Sequence, residues 1–483
     1  RSALQPARLK GVSRGWMPSP EPVLSKSRSR LRAVVERASL ALALLTRSPR
    51  LLQAAQVTFA TLLVRLVHAL SALALTYAFG TSPTTDRYMA FTMAVVSACT
   101  IASIALPSLA GAFISRRGCV WGAQAPLRQW GWRHAGGAMA MFLVCSPVLA
   151  WLMTSRGPHL LSRAWELEQL MLIASPCIGL AVLNTVEQSL LQAKGRLTTG
   201  VWAGGWNTVA TASFLALGAV LGDVRWAAAG LVVGAVAEGL WLRRCNKLGQ
   251  PVGLSENVLP AAATPVATYK PWLALTLASL ASFVVGPLDQ IWLADLGPRA
   301  QAVWGLGSRV PSFLTLSVYA VVSVFSTVAA AQWGQDRVAS ARHSLKLAAV
   351  ALLACVVLLG LVAWQAQPLV VALYERGSFS AHDSVATTGA LRDALWAYVL
   401  YPMSVALVRG ASLAGCQRAL WGSAALFLGA KVAVAAWAVP VWGLSAIAVS
   451  TFIATAAQSA VLVRALWPQS VLDQRGTPRP AEP

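Results

Sequence analysis

The sequence predicts an all-α polytopic membrane protein of about 12 transmembrane helices in two six-helix lobes. Three observations carry that expectation. Of 483 residues, 57% are hydrophobic and only 12% are charged, where a soluble domain carries about 25% charged residues. Apolar runs long enough to cross a bilayer as helices recur between positions 54 and 466. A weak internal repeat lies half a chain apart, with LLQAKGRLTTGVW answered by LAGCQRALWGSAA, so that Arg196 corresponds to Arg418 and Arg243 to Arg464. Because a chain in lipid must satisfy its own backbone, such long unbroken runs imply helices and not a barrel.

Residues 1–50 are polar and basic and read as a cytoplasmic tail. The later part of that tail, about 28–47, either lies as a helix on anionic lipid or is simply solvated. The first run, 54–79, is too long for the core of a cleavable signal peptide, and no A-x-A site follows it. Spans two to six fall at roughly 88–115, 134–155, 165–193, 199–221 and 226–243. A proline-bearing segment, 247–270, links the halves. Spans seven to twelve follow at roughly 271–296, 303–331, 343–373, 386–414, 418–438 and 442–466. The lobes are therefore bounded at 51–246 and 271–467, with a C-terminal tail at 468–483. Parallel repeats of this kind mark transporters.

The net charge of +22 raises nucleic acid as a partner. The basic residues are instead gathered in the tail and in alternate loops, at 116–133, 194–196, 243–247, 337–346 and 418, while the opposite loops carry only Arg87, Arg156, Arg163, Arg225, Arg299 and Arg376. That asymmetry is the positive-inside pattern and places both termini in the cytoplasm, with no nucleic-acid partner. Trp130, Trp132, Trp165, Trp226, Trp442 and Trp467 sit near span ends, as an interfacial belt or as packing. The seven cysteines are scattered without a CxxC and the five histidines are isolated, so no disulfide, metal site or cofactor is expected.

Charges inside the runs are few. Asp289 and Arg309 lie in spans seven and eight, on either side of the turn at Asp295–Arg299. At ~1.5 Å per residue each sits roughly 10 Å in from that turn, so an antiparallel pair holds acid and base at similar depth. A charge at mid-bilayer costs about 2.5–3.5 kcal/mol, and such residues face a partner or a watery cavity. Glu187, Glu238 and Arg409 are expected to snorkel to the cytoplasmic headgroups. Arg392 and Asp393 read as structural neighbours. Gly286-Pro287 is expected to bend span seven.

Four local patterns point to one family: AFGTSPTTDRYMAF at 78–91, LLQAKGRL at 190–197, FVVGPLDQIWLADLGPRAQAVWGLGSRVPSF at 283–313 and LYERGSFSAHD at 373–383. In order and spacing the chain resembles, over about 55–466, the MurJ/MviN lipid II flippases of the multidrug/oligosaccharidyl-lipid/polysaccharide exporter superfamily. The resemblance implies two bundles around a central cavity that opens alternately to each side, and a polyprenyl-diphosphate-linked saccharide as cargo. It implies a monomer in a bacterial inner membrane, at work in peptidoglycan and cell-wall biogenesis, and no enzyme. It matches Arg65 and Arg309 to cavity arginines, Asp86 to the acid after the FGxxxxxD turn, and Asp289 to the acid or amide of span seven. All but Asp289 are thereby read as substrate-binding.

The departures bear on function too. A second arginine of span one is replaced by Ser71, the twin arginines of span two fall at Ala98 and Cys99, and the acids flanking the arginine of span eight become Ser308 and Ser312. The two further C-terminal helices of lipid II flippases are not expected in this sequence. In sodium-binding members, span eleven offers Asn or Asp one turn apart, and ungapped register puts those places at Lys431 and Ala435. Lys431 is thus expected to be a tethered counter-ion for Asp289, taking the place of the cation and leaving Arg309 to the cargo. The competing reading has Lys431 snorkelling outward. A separation beyond about 6 Å would exclude the pair, since ion pairs need roughly 4 Å.

The function expected is a flippase working by alternating access. The alternatives are an exporter of another amphiphile on the same fold and a flippase-like scaffold that has lost transport. A membrane glycosyltransferase, polymerase or ligase would need catalytic groups on a sizeable outer loop, and the sequence has none.

Overall fold

The computed structural model describes residues 56, 59–60, 62–64, 66–67, 73–103, 106, 120–156, 159–194, 196–247, 281, 284–333 and 337–471. All belong to one compact unit, Gln56–Pro483. Among the described residues regular structure is helical throughout. Six helices come from the first half: α1 (Pro83–Ser103), α2 (Val120–Leu152), α3 (Leu160–Ala174), α4 (Pro176–Ala193), α5 (Leu197–Leu221) and α6 (Arg225–Lys247). Eight come from the second: α7 (Ala300–Gly307), α8 (Arg309–Trp333), α9 (Arg337–Trp364), α10 (Ala366–Tyr374), α11 (Ala381–Val399), α12 (Tyr401–Leu413), α13 (Gln417–Trp442) and α14 (Leu444–Val471). Residues 73–79 and 284–295 are helical as well. Eight helical stretches among the described residues are long and apolar enough to cross a membrane.

Spans four and ten are each two helices in line, and in both a proline makes the join. Pro176 sits at the start of α4 and Pro402 near the start of α12. Proline has no N–H to donate and a fixed φ, so the first turn of a new helix accepts it where a helix interior does not. Span eight breaks at Ser308 and span nine at Gln365, whose φ/ψ of −102°/18° leaves the helical region. Span three begins earlier than the apolar run suggests, because α2 starts at Val120 and carries Arg128 as a helical residue.

The largest buried cluster is built on α1, α2, α3, α4 and α6, and it also takes in Leu306, Ala366, Val370, Tyr374, Phe379 and Leu391 from the second half. A second cluster fills the interior of α8, α9, α12, α13 and α14. Outward-facing positions are also apolar: Val220, Leu161 and Trp364 are about four-fifths exposed. A bilayer is the solvent that such a surface requires. The halves approach closely where glycine permits it. A Cβ on Gly305 would stand 2.7 Å from the Met89 sulfur of α1, and one on Gly286 would stand 3.0 Å from that of Met93.

Candidate functional site: a sealed face and the charges beneath it

The turns at 79–82, 153–156, 295–299 and 375–380 gather at the face opposite the basic loops, and there the two halves are sewn together. The Asp86 carboxylate, near the start of α1, accepts from the backbone amides of Arg299 at 2.6 Å and Ala302 at 2.7 Å. These are unpaired donors at the N-terminus of α7, where the helix dipole also favours an anion. Arg299 itself adopts φ 75° to turn the chain into that helix. Burial pushes the Asp86 carboxyl up to about 6 from 3.8, against the lowering effect of the two amides and Arg299.

Other contacts cross the same face. The Thr81 hydroxyl donates to Asp383, which with Ser380 forms the capping box of α11. The Ser378 amide donates to the Tyr77 carbonyl at 3.0 Å, and its hydroxyl to the Ala78 carbonyl at 3.0 Å. Gln301 donates to the Met153 carbonyl at 2.8 Å, and Arg156 pairs with Asp295 at 2.9 Å. Gly80, at φ +55°, and Gly377, at φ +62°, let the two strands of chain touch. Beside this seam is a polar cleft of about 270 Å³ that includes Asp86, Arg87, His159, Arg163, Glu166 and Gln301.

Beneath the seam, Arg309 opens α8 directly after the break at Ser308. Its nearest polar contact is the Met89 sulfur of α1, 3.7 Å away. Among the described residues no carboxylate comes within ion-pair distance of it, although four other ion pairs form. The break is steadied by Ser308, whose hydroxyl donates to the Gly305 carbonyl at 3.4 Å, by the Tyr398 hydroxyl, which stands near Ser308 and Ser312, and by Tyr374, which donates to the Leu306 carbonyl at 3.5 Å. The two serines that stand where the family has acids thus serve the backbone kink and leave the guanidinium without a counter-ion.

Lys431 is fully buried, at 0% exposure, and Asp289 nearly so. The Nζ lies 2.6 Å from Asp289 Oδ1. It also donates to the Ile447 carbonyl at 3.1 Å, Ser450 Oγ at 2.9 Å and Thr451 Oγ1 at 2.6 Å. Four oxygens thus surround a nitrogen with three hydrogens. The Asp289 contact is the ion pair of the set, and the other three oxygens belong to α14. The separation is well inside the distance that would have excluded the pair. Ala435, one turn on, is buried apolar packing.

Arg65 and Ser71 lie outside the described residues. Ala98 and Cys99 of α1 pack against the first apolar cluster. The expected snorkelling of three charges is corrected. Glu187 receives both ends of a fork from Arg128, at 2.8 Å each, and the Asn246 amide at 2.8 Å. Glu238 receives the Asn207 amide at 2.9 Å inside the bundle. Arg409 donates to the Tyr319 hydroxyl at 3.0 Å and lies 5.3 Å from its ring centroid. Membrane burial makes an internal partner cheaper than a long reach to water. For Glu238 a signal lies in Asn207 of the neighbouring run 199–221, whereas the partners of Glu187, Arg128 and Asn246, fall in stretches that read as loops. Among the described residues no group of three or more His, Cys, Asp or Glu side chains is gathered as for a metal ion.

The family model described as "Lipid II flippase MurJ" matches residues 135–477. No sequence among the curated proteins matches the chain. The fold is similar to the solved "Lipid II flippase MurJ, inward closed conformation", at 14% identity and TM-score 0.64, covering 86% of this chain and 90% of that one. It is also similar to an inward-facing multidrug resistance MATE family transporter of the MOP superfamily, at 13% identity and TM-score 0.66, covering 87% and 100%. A MOP superfamily transporter from Pyrococcus furiosus matches at 15% identity and TM-score 0.62, covering 88% and 97%. At these identities the structural matches speak for the fold.

Proposed function

This chain belongs to the MurJ lipid II flippase family, and from that premise we propose that it moves a polyprenyl-diphosphate-linked saccharide, lipid II or a related precursor, across a bacterial inner membrane. It works by alternating access, as a monomer with both termini in the cytoplasm, and makes or breaks no bond. Residues 51–246 and 271–467 act as the two moving lobes, joined by 247–270. The observation that carries the reading is Arg309, a guanidinium at the junction of the halves with no carboxylate within ion-pair distance among the described residues. An isolated cation at that depth is costly unless an anion visits it, and a planar fork of N–H donors suits a diphosphate.

On this reading Arg65 supplies a second guanidinium from the first lobe. Asp86, with both oxygens taken by backbone amides, latches the outer face closed while cargo enters from the other side. Lys431 supplies a permanent cation to Asp289, so that transport needs no sodium at that place. The neighbouring MATE fold keeps the alternative of another amphiphile as cargo, and the loss of cavity arginines keeps that of a scaffold without transport.

Complementation of cells depleted of their lipid II flippase tests the proposal, with O-antigen and capsule flippase mutants alongside. The wild-type chain should restore growth, R309A should fail at normal membrane levels, and R309K should rescue in part because the charge remains and the fork is lost. Full activity of R309A would remove Arg309 from the site. A well-expressed wild-type chain that restores none of the strains would favour the scaffold.

A further inference from the structure

Glu238 stands in the middle of α6, 13 residues after Arg225 and nine before Lys247, or about 20 Å and about 13 Å from the two ends. It is an acid in a membrane-length helix, and no cation pairs with it among the described residues. Two other interior acids are treated differently: Glu187 has Arg128 and Asp289 has Lys431. Glu238 is instead clamped by two carboxamides. Asn207 of α5 donates to Oε2 at 2.9 Å, and the Asn184 side chain of α4 lies beside the carboxyl.

The clamp is built into the packing. Gly234 and Gly239 of α6 flank Glu238, and each lies against one of the amides. A Cβ at Gly234 would stand 2.6 Å from Asn207 Oδ1, and one at Gly239 would stand 2.5 Å from Asn184 Oδ1. The amides are held from behind too. Asn184 Nδ2 donates to the Ala235 carbonyl at 2.8 Å, and Asn207 Oδ1 accepts from Thr211 at 3.3 Å. Ionisable groups facing the site are few. Helix α5 has none, α4 brings Cys177 and the already paired Glu187, and Cys99 of α1 is close enough to feel the charge of Glu238. Helix α3, which carries Arg163, Glu166 and Glu168, meets α6 at the far end from Lys247, where Arg225 donates to Gln169 at 2.8 Å.

We infer that Glu238, with Asn184 and Asn207, forms a proton-binding site in the first half of the molecule, loaded and emptied as the halves move. The chemistry is the simple association of a proton with the carboxylate. Ionised, the carboxylate accepts from Asn207 with the Asn184 amide beside it. Protonated, it must donate its O–H, so one amide must turn its oxygen inward and release Ala235 or Thr211. The proton is therefore felt in the packing of α4, α5 and α6. A cation of the alkali type is a poorer occupant, because Asn207 presents an N–H group and not an oxygen to the carboxylate. The link to transport rests on the flippase reading, whereas proton binding itself does not.

Difference infrared spectroscopy of the full chain in lipid nanodiscs, between acidic and alkaline buffer without sodium, tests the inference. A protonated-carboxyl component is expected in the wild type that is lost in E238Q and retained in both E187Q and D86N. N207A, which removes one donor to the ionised form, should move its midpoint to higher pH. An unchanged band in E238Q, an unmoved midpoint in N207A, or displacement of the band by sodium at fixed pH would overturn it. The measurement uses no cargo, so failed complementation leaves it standing, and its own failure leaves the flippase reading intact.

Discussion

Neutralising Lys431 and Asp289 separately and together measures whether they act as a unit. K431M keeps the length of the side chain and removes the charge, leaving the Asp289 carboxylate without its only cation among the described residues, in a site that is almost fully buried. Breaking a buried pair from one side costs about 3–5 kcal/mol. D289N should cost less, because the ammonium keeps the Ile447 carbonyl, Ser450 and Thr451, and each such charge-assisted bond is worth roughly 1.5–3 kcal/mol. The double variant buries no charge, so its loss should fall short of the sum of the two by about 2–3 kcal/mol, the upper end for contacting residues. That difference is roughly 30–150-fold in the folded-to-unfolded ratio at about 1.4 kcal/mol per tenfold. Equilibrium unfolding in detergent micelles reads it. Transport by the wild type should be the same in sodium and in choline buffer. Additive losses, or equal losses from the two single variants, would refute the argument that the lysine stands in for a cation.

The sealed face gives two further predictions. Asp86 binds its proton near about 6 while buried, against 3.8 in water, so the sealed form binds the proton more tightly than an opened one. Sealing is therefore favoured below about 6 and opening as pH rises through that value. Hydrogen exchange at the Arg299 and Ala302 amides, corrected for its intrinsic rate, should rise between about pH 5 and about pH 7 and lose that dependence in D86N; a dependence kept in D86N would place the titrating group elsewhere. At Gly80 an alanine Cβ would stand 2.5 Å from the Ser378 carbonyl oxygen, whereas at Gly297, also at positive φ, it would meet nothing within 4 Å. Both substitutions carry about 1–2 kcal/mol of backbone strain, but only G80A should speed exchange at the Ser378 amide, and equal effects would mean that contact between the halves is not what Gly80 provides.

The membrane spans were legible because a span is a composition, and the runs at 199–221, 418–438 and 442–466 correspond closely to α5, α13 and α14. The broken spans were legible in part. Pro176 and Pro402 announce their joins, while Ser308 and Gln365 carry no such sign, since a kink held by Tyr398 from another helix leaves nothing local to read. The proximity of Lys431 to Asp289 followed from register within a known family pattern. The surroundings of Asp86 did not, because its partners are backbone amides that every residue but proline possesses. Glu187 and Glu238 were misread for a related reason. Distance to a helix end suggested water as the partner, and the true partners, Arg128 and Asn207, lie 59 and 31 residues away.

The placing of charge argues for an anion as cargo more strongly than the count of arginines does. A membrane protein that needs only to be stable has every reason to pair its interior charges, and this chain does so for Glu187 and Asp289. Pairing Arg309 would have needed one acid at position 308 or 312, a single substitution within a turn of the guanidinium. Serines stand there instead, near Tyr398. Meanwhile the acid that shares Arg309's depth in the sequence is drawn away by a lysine from another helix. The seam above follows the same logic. Its contacts are mostly backbone amides, hydroxyls and a helix cap, which water can replace when the face opens, so that no strong ion pair must be broken over the cargo. On the flippase reading, the free guanidinium and the easily parted seam are two parts of one requirement, that a diphosphate be held long enough to cross and then let go.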